Sequence, residues 1–207
     1  MNEQQLRNIY LKQINEALER LNASEVYFER YKETEEIYEM DSCILQLRKA
    51  LECIAFSAIA PNKGAYEKFR EGDFSKDFNA KKIVSQLNKI NKDFYPISLT
   101  EPVKDDENVW NYGRREKGFL SKKRFEKLYD RLGKYLHADN PWGKDKGLQN
   151  LVNEYPSFIS QIQTLLKCHV VTIKTPDFNG VWMAESDSNF ARARIITGQA
   201  DGDFCVK

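Results

Sequence analysis

The sequence predicts a mainly α-helical chain, a bundle of about five helices carrying a small antiparallel β-meander at its C-terminal end. Three observations predict it. Apolar residues recur at three- and four-residue steps in five separate segments, the mark of amphipathic helices. After His169 the period changes, and β-branched runs alternate with turn residues as in short strands. A length of 207 residues is also enough to bury one sizeable core. The expected division is a bundle over residues 1–168 and a meander with its tail, packed on the bundle, over residues 169–207.

The first helix is expected from Asn2 to about Tyr31, with Leu6, Tyr10, Ile14, Leu18 and Leu21 on its apolar face. Asn22-Ala23-Ser24 reads as a kink. The acidic turn Glu33-Thr34-Glu35-Glu36 suits the start of a second helix. Ile37, Met40, Ile44, Leu47, Leu51, Ile54 and Ala58 give that helix the strongest periodicity in the chain, and Pro61 ends it. Residues 62–78 read as a polar loop with a short helical turn near residues 65–70. Asn79 caps a third helix bearing Ile83, Val84, Leu87 and Ile90. Residues 97–118 show no sustained period, and a loop of that length is functional, mobile or hides an element.

The fourth helix begins at Ser121, whose hydroxyl can cap free N–H groups while Leu120 packs on Phe125. Phe125, Leu128, Leu132 and Leu136 mark its buried face, and Asn140-Pro141 stops it. A fifth helix carries Leu148, Leu151, Tyr155, Phe158, Ile162 and Leu165, with a kink expected at Pro156. Val170 to Ile173 and Val181 to Ala184 then read as strands around a turn at Pro176 to Gly180. Asp187-Ser188-Asn189 makes a second turn, Phe190 to Thr197 alternates as a third strand, and the tail from Gly198 is expected to fray.

Composition excludes more than it assigns. Lys and Arg number 32 against 31 Asp and Glu, so any polyanion must be drawn by a local patch. No apolar run approaches the about 20 residues that span a bilayer. The first residues lack the basic flank and apolar run of a signal peptide, so a cytoplasmic protein without a membrane partner is expected. The four cysteines form no CxxC pair or Cys/His cluster, which leaves reduced thiols and gives no sign of a metal or other cofactor. No phosphate-binding glycine loop, nucleophile elbow or HExxH motif is present. Asp201-Gly202-Asp203 is too short for a calcium loop.

The chemistry concentrates around the fourth helix. Arg114, Arg115, Lys117, Lys122, Lys123, Arg124, Lys127, Arg131 and Lys134 face only Glu116, Glu126 and Asp130 over the same span. Arg114, Arg115, Lys122, Lys123, Arg124 and Lys134 are candidate contacts to a phosphate backbone, with Trp110, Tyr112 and Tyr135 as stacking side chains. The competing reading is a solvated helix face. Lys122, Lys123 and Arg124 oppose the helix dipole in the first turn, a mild conflict that favours a function for them. Arg131 can stabilise negative charge on a phosphate, and His137 can move a proton near neutral pH. Positions six apart do not share a helix face, so the two converge only through unwinding near Gly133 or through a second subunit. Otherwise Arg131 bonds to Asp130 or Glu126 on its own helix and His137 satisfies the helix end. Asp130 and Asn140 flank the pair.

A helical bundle with an Arg, a short gap and a His near the end of a late helix resembles the HEPN superfamily. Leu47-Arg48-Lys49-Ala50-Leu51-Glu52 and Tyr135-Leu136-His137-Ala138-Asp139-Asn140-Pro141 agree with the resemblance, which covers about residues 1–166. It implies a metal-independent endoribonuclease, or an RNA-binding protein of HEPN type, acting on single-stranded RNA in a toxin–antitoxin or phage-defence system. Arg131 would steady the phosphate, and His137 would manage the proton during attack by a ribose 2′-OH. Leu132 stands where active members commonly carry a polar residue, so the resemblance equally implies a non-catalytic interaction module with a protein partner such as an antitoxin. It also implies a homodimer in which two Arg/His pairs form one site. Light scattering at tens of micromolar checks this: a symmetric dimer is expected, and a monomer would remove the composite site.

Overall fold

A long antiparallel helix pair carries the rest of the chain. In this computed structural model, which describes residues 1–71, 73–175, 178–187, 189 and 191–199, α1 spans Glu3–Thr34 and α2 spans Ile37–Ser57. Asn2 and Gln5 form a capping box at the start of α1, and Glu35, in the left-handed region, turns the chain into α2. The acidic turn therefore divides between the end of one helix and the start of the next. Tyr10, Ile14, Ala17, Leu18 and Leu21 of α1 and Met40, Ile44, Leu47 and Leu51 of α2 are fully buried at their common face.

The kink expected at residues 22–24 is absent, since α1 is continuous. Ser24 sits inside the core, where its hydroxyl donates to the Cys43 carbonyl at 3.0 Å and lies 2.8 Å from the Tyr155 hydroxyl. A polar residue in mid-helix here ties three helices together instead of breaking one.

A 3₁₀ turn over Ala60–Asn62 leads into α3 (Lys63–Arg70), the short helical turn expected in the polar loop. Asn79 caps α4 (Ala80–Ile90), and Ser121 caps α5 (Lys122–Tyr135). Then α6 runs as one helix over Leu148–Lys167 with Pro156 inside it. The proline sits in the helix interior, where it removes one N–H donor.

The segment without a period hides strands. β1 (Ile97–Ser98) joins the C-terminal sheet, and β2 (Val103–Lys104) pairs with β3 (Trp110–Asn111) in a small hairpin. β4 (Cys168–Thr175), β5 (Phe178–Ser186) and β6 (Ala193–Gln199) form the expected meander, extended by β1 to the order β1-β4-β5-β6, all antiparallel. Two-residue strands are too short to show alternation in the sequence, which is why β1 was not legible. Gly72, Pro176, Asp177, Ser188, Phe190 and the tail from Ala200, with Asp201, Asp203 and Cys205, lie outside the described residues. Cys43, Cys53 and Cys168 are buried free thiols. Among the described residues no helix is long and apolar enough to cross a membrane.

The sheet is held on the bundle by Val171, Ile173, Trp182 and Ala184, which belong to the same core as the helices. Trp182 meets the edge of Tyr10 at 5.7 Å, and the Tyr10 hydroxyl lies 2.7 Å from His169 Nε2. His169 is fully buried, and desolvation lowers its pKa from 6.5 to about 4. The folded state thus favours the neutral ring. Stability is complete above pH about 6.5 and is lost as pH falls toward about 4, by on the order of 3 kcal/mol. Melting temperature followed from neutral to acidic pH should drop by several degrees more in wild type than in His169→Gln. Parallel curves would contradict this role.

Candidate nucleic-acid interface

The local sequence of α5 decides which way its charges face. Phe125, Leu128, Tyr129 and Leu132 are buried against the bundle. Arg48 of α2 locks that face: its guanidinium lies 3.8 Å from the Tyr129 ring centre and donates from Nη1 to the Tyr129 carbonyl at 2.8 Å. Glu52 completes the clamp, accepting from the Tyr129 hydroxyl at 2.9 Å and lying 3.5 Å from Arg48 Nε. Gly133 makes room for it, because a Cβ there would stand 2.6 Å from Arg48 Nη1.

With that face buried, Arg124, Lys127, Arg131 and Lys134 fall at i, i+3, i+7 and i+10 on the side turned toward α6, about 5 Å apart along the axis. The two helices run antiparallel. The Leu120 N–H donates to the Gln161 carbonyl at one end, and the Tyr135 hydroxyl donates to the Lys146 and Gly147 carbonyls at the other. Between them is a groove of about 450 Å³ lined by Leu120, Leu128 and Phe158 together with Arg124, Lys127, Arg131, Glu154, Ser157 and Gln161. A second hollow of about 390 Å³ continues from Arg131 past Lys134 to Lys146 and Asn150. Among the described residues that line one hollow or the other, Glu154, in the first, is the one carboxylate.

Polar contacts order this wall. Arg124 Nη1 donates to Gln161 at 2.8 Å. Arg131 Nη1 donates to Glu154 at 2.8 Å, and its guanidinium lies 5.7 Å from the Phe158 ring centre. Partial burial works against the Arg131 charge, but hydrogen bonds to Glu154 and Tyr135 outweigh it and leave the pKa raised.

The other expected site residues disperse. His137 lies beyond the end of α5, exposed, and lines a different hollow with Ile37, Asp41 and Leu136. The helix does not unwind at Gly133, so one protomer does not bring Arg131 and His137 into a common hollow. Arg131 does pair with a carboxylate, but on α6 rather than on its own helix. Lys122 turns the other way and donates to Asn88 of α4. Lys123 is exposed. Arg114 bridges to Leu99, and the Arg115 N–H donates to the Ser98 carbonyl, so both belong to the strand side of the molecule. Tyr135 spends its hydroxyl on backbone carbonyls and orders the loop before α6. Asp130 pairs with Lys81 on the α4 side. Asn140 accepts from the Trp142 N–H at 3.0 Å and shapes the turn after the helix.

Sequence reasoning left Glu154, Ser157, Phe158 and Gln161 out of the site. Phe158 sits in the apolar period of α6 and read as core, and nothing local to the sequence pairs α6 with α5. Lys127 was visible in the basic block, and the three- and four-residue steps linking it to Arg124, Arg131 and Lys134 were the available signal. Among the described residues no three His, Cys, Asp or Glu side chains group as metal ligands.

The chain matches no protein-family model, no curated protein and no solved structure.

The clamp gives a stability test. Gly→Ala in a helix ordinarily stabilises by up to about 1 kcal/mol. Gly133→Ala should stabilise less than that in wild type, where the methyl displaces Arg48, and more in an Arg48→Met background. Denaturant melts of the four proteins measure the coupling, and equal effects in both backgrounds would contradict the clamp.

Proposed function

We propose that this chain binds single-stranded RNA, with the sugar–phosphate backbone lying along the groove between α5 and α6. The observation that carries the reading is the stripe Arg124, Lys127, Arg131 and Lys134 beside an apolar floor with one opposing carboxylate. Cations at regular spacing neutralise successive phosphates and release counterions, which supplies affinity without base-specific contacts. Ser157, Gln161 and Asn150 add polar groups for sugar and phosphate. A chain of nearly zero net charge can do this because the stripe is local.

A second reading is cleavage. His137 is exposed and shares a hollow with Ile37, itself 44 % exposed, an apolar surface that a second copy would cover. In that dimer His137 of one protomer would serve a phosphate held by Arg131 of the other, with the ribose 2′-OH as nucleophile. The 2′-oxygen loses its proton and bonds to phosphorus as the P–O5′ bond breaks and the 5′-oxygen takes up a proton, which leaves a 2′,3′-cyclic phosphate and a 5′-hydroxyl end and spares DNA.

Fluorescence anisotropy with labelled oligo(U) tests the binding reading. Lys127→Glu with Lys134→Glu should weaken binding at least tenfold and reduce the slope of log K against log salt by about 1.4. Lys122→Glu, which alters the α4 side, should change affinity by less than about twofold. Unchanged binding in the double variant would overturn the groove assignment. In the same samples, cyclic-phosphate ends that vanish with His137→Ala would establish the cleavage reading, and intact RNA would leave binding alone.

A further inference from the structure

We infer that Phe158 is a stacking subsite for one unpaired base, covered in the free protein by Arg131 under the hold of Glu154. This rests on the RNA reading above and adds to it the groove's preference for single strands. Phe158 lines the groove between the α5 cations and α6, half-buried, packed on the core below. Glu154 and Phe158 are four residues apart and share one face of α6. Arg131 reaches across from α5 to both, donating to Glu154 at 2.8 Å and lying 5.7 Å from the Phe158 ring centre.

The geometry makes the arginine exchangeable. Its partner Glu154 has a side chain 50 % exposed, and an ion pair that open to water contributes little to stability. A backbone phosphodiester offers two anionic oxygens, as a carboxylate does, and takes an arginine fork in the same two parallel hydrogen bonds. As a phosphate draws Arg131 toward Lys127 and Lys134, the ring is uncovered. An aromatic face beside a backbone-binding stripe then takes a base whose own partner is missing, because bases paired in a duplex do not present their faces. Glu154 acts as an internal competitor for the phosphate, and Phe158 converts a charge-only groove into one that distinguishes single strands.

The experiment compares oligo(U) with an abasic oligoribonucleotide of the same length at several salt concentrations. Wild type should prefer the base-bearing strand by at least about fivefold. Phe158→Leu, which keeps an apolar side chain at this half-buried position and removes the ring, should stay folded with a melting temperature within a few degrees of wild type, still bind both strands in a salt-sensitive way, and lose the preference. Glu154→Gln should tighten binding of both strands by about twofold to fivefold. Salt-sensitive binding of both strands with equal affinity by wild type would overturn the subsite while leaving RNA binding in place. So would a preference that survives in Phe158→Leu. Unchanged affinity in Glu154→Gln would overturn the hold on Arg131. Absence of salt-sensitive binding to either strand would remove the RNA reading itself, and the subsite with it.

Discussion

The clamp of Arg48 on Tyr129 fixes the rotation of α5, and the site follows from that rotation. One guanidinium stacks on an aromatic ring, donates to a helix carbonyl and stands beside a carboxylate that the same tyrosine also reaches. The arrangement needs a residue without a side chain at position 133, because the clamp occupies that space. Once Phe125, Leu128, Tyr129 and Leu132 are committed to the core, Arg124, Lys127, Arg131 and Lys134 have one direction left to face. The antiparallel α6 then closes the second wall of the groove.

The elements with a strong period were legible in the sequence, and those without one were not. The apolar steps through α2 and α5 and the Ser121 cap predicted helices that the structure contains. The switch to β-branched residues after Cys168 predicted the meander. Asn22-Ala23-Ser24 looks like a break in an amphipathic helix until the partners of Ser24, Cys43 and Tyr155, distant in sequence, are known. β1 and the β2–β3 hairpin escaped because two-residue strands carry no periodic signal.

The candidate site shows the same division. Arg131 and the charge of α5 were visible locally, whereas Glu154 and Phe158 enter only through the packing of α6 beside α5. The basic block divides between the groove and the α4 side because a helix distributes neighbouring residues around its cylinder, while Arg114 and Arg115, before α5, join the strand side through Leu99 and Ser98. Lys122, Lys123 and Arg124 are consecutive in sequence and point to different surroundings. A run of like charge in a sequence is therefore a poor guide to a patch, and charges at three- and four-residue steps are a better one.

Arg131 and His137 line different hollows, so the proposed RNA reading centres on the groove that holds Arg131. Amide hydrogen exchange with and without bound oligo(U) tests that centre most directly. RNA bound along the groove should slow exchange in the last two turns of α5, in the loop at Lys146 and Gly147, and in α6 up to Gln161, with the β2–β3 hairpin unchanged. Protection confined to the hairpin or to residues 137–142, with α5 and α6 unaffected, would contradict the groove reading.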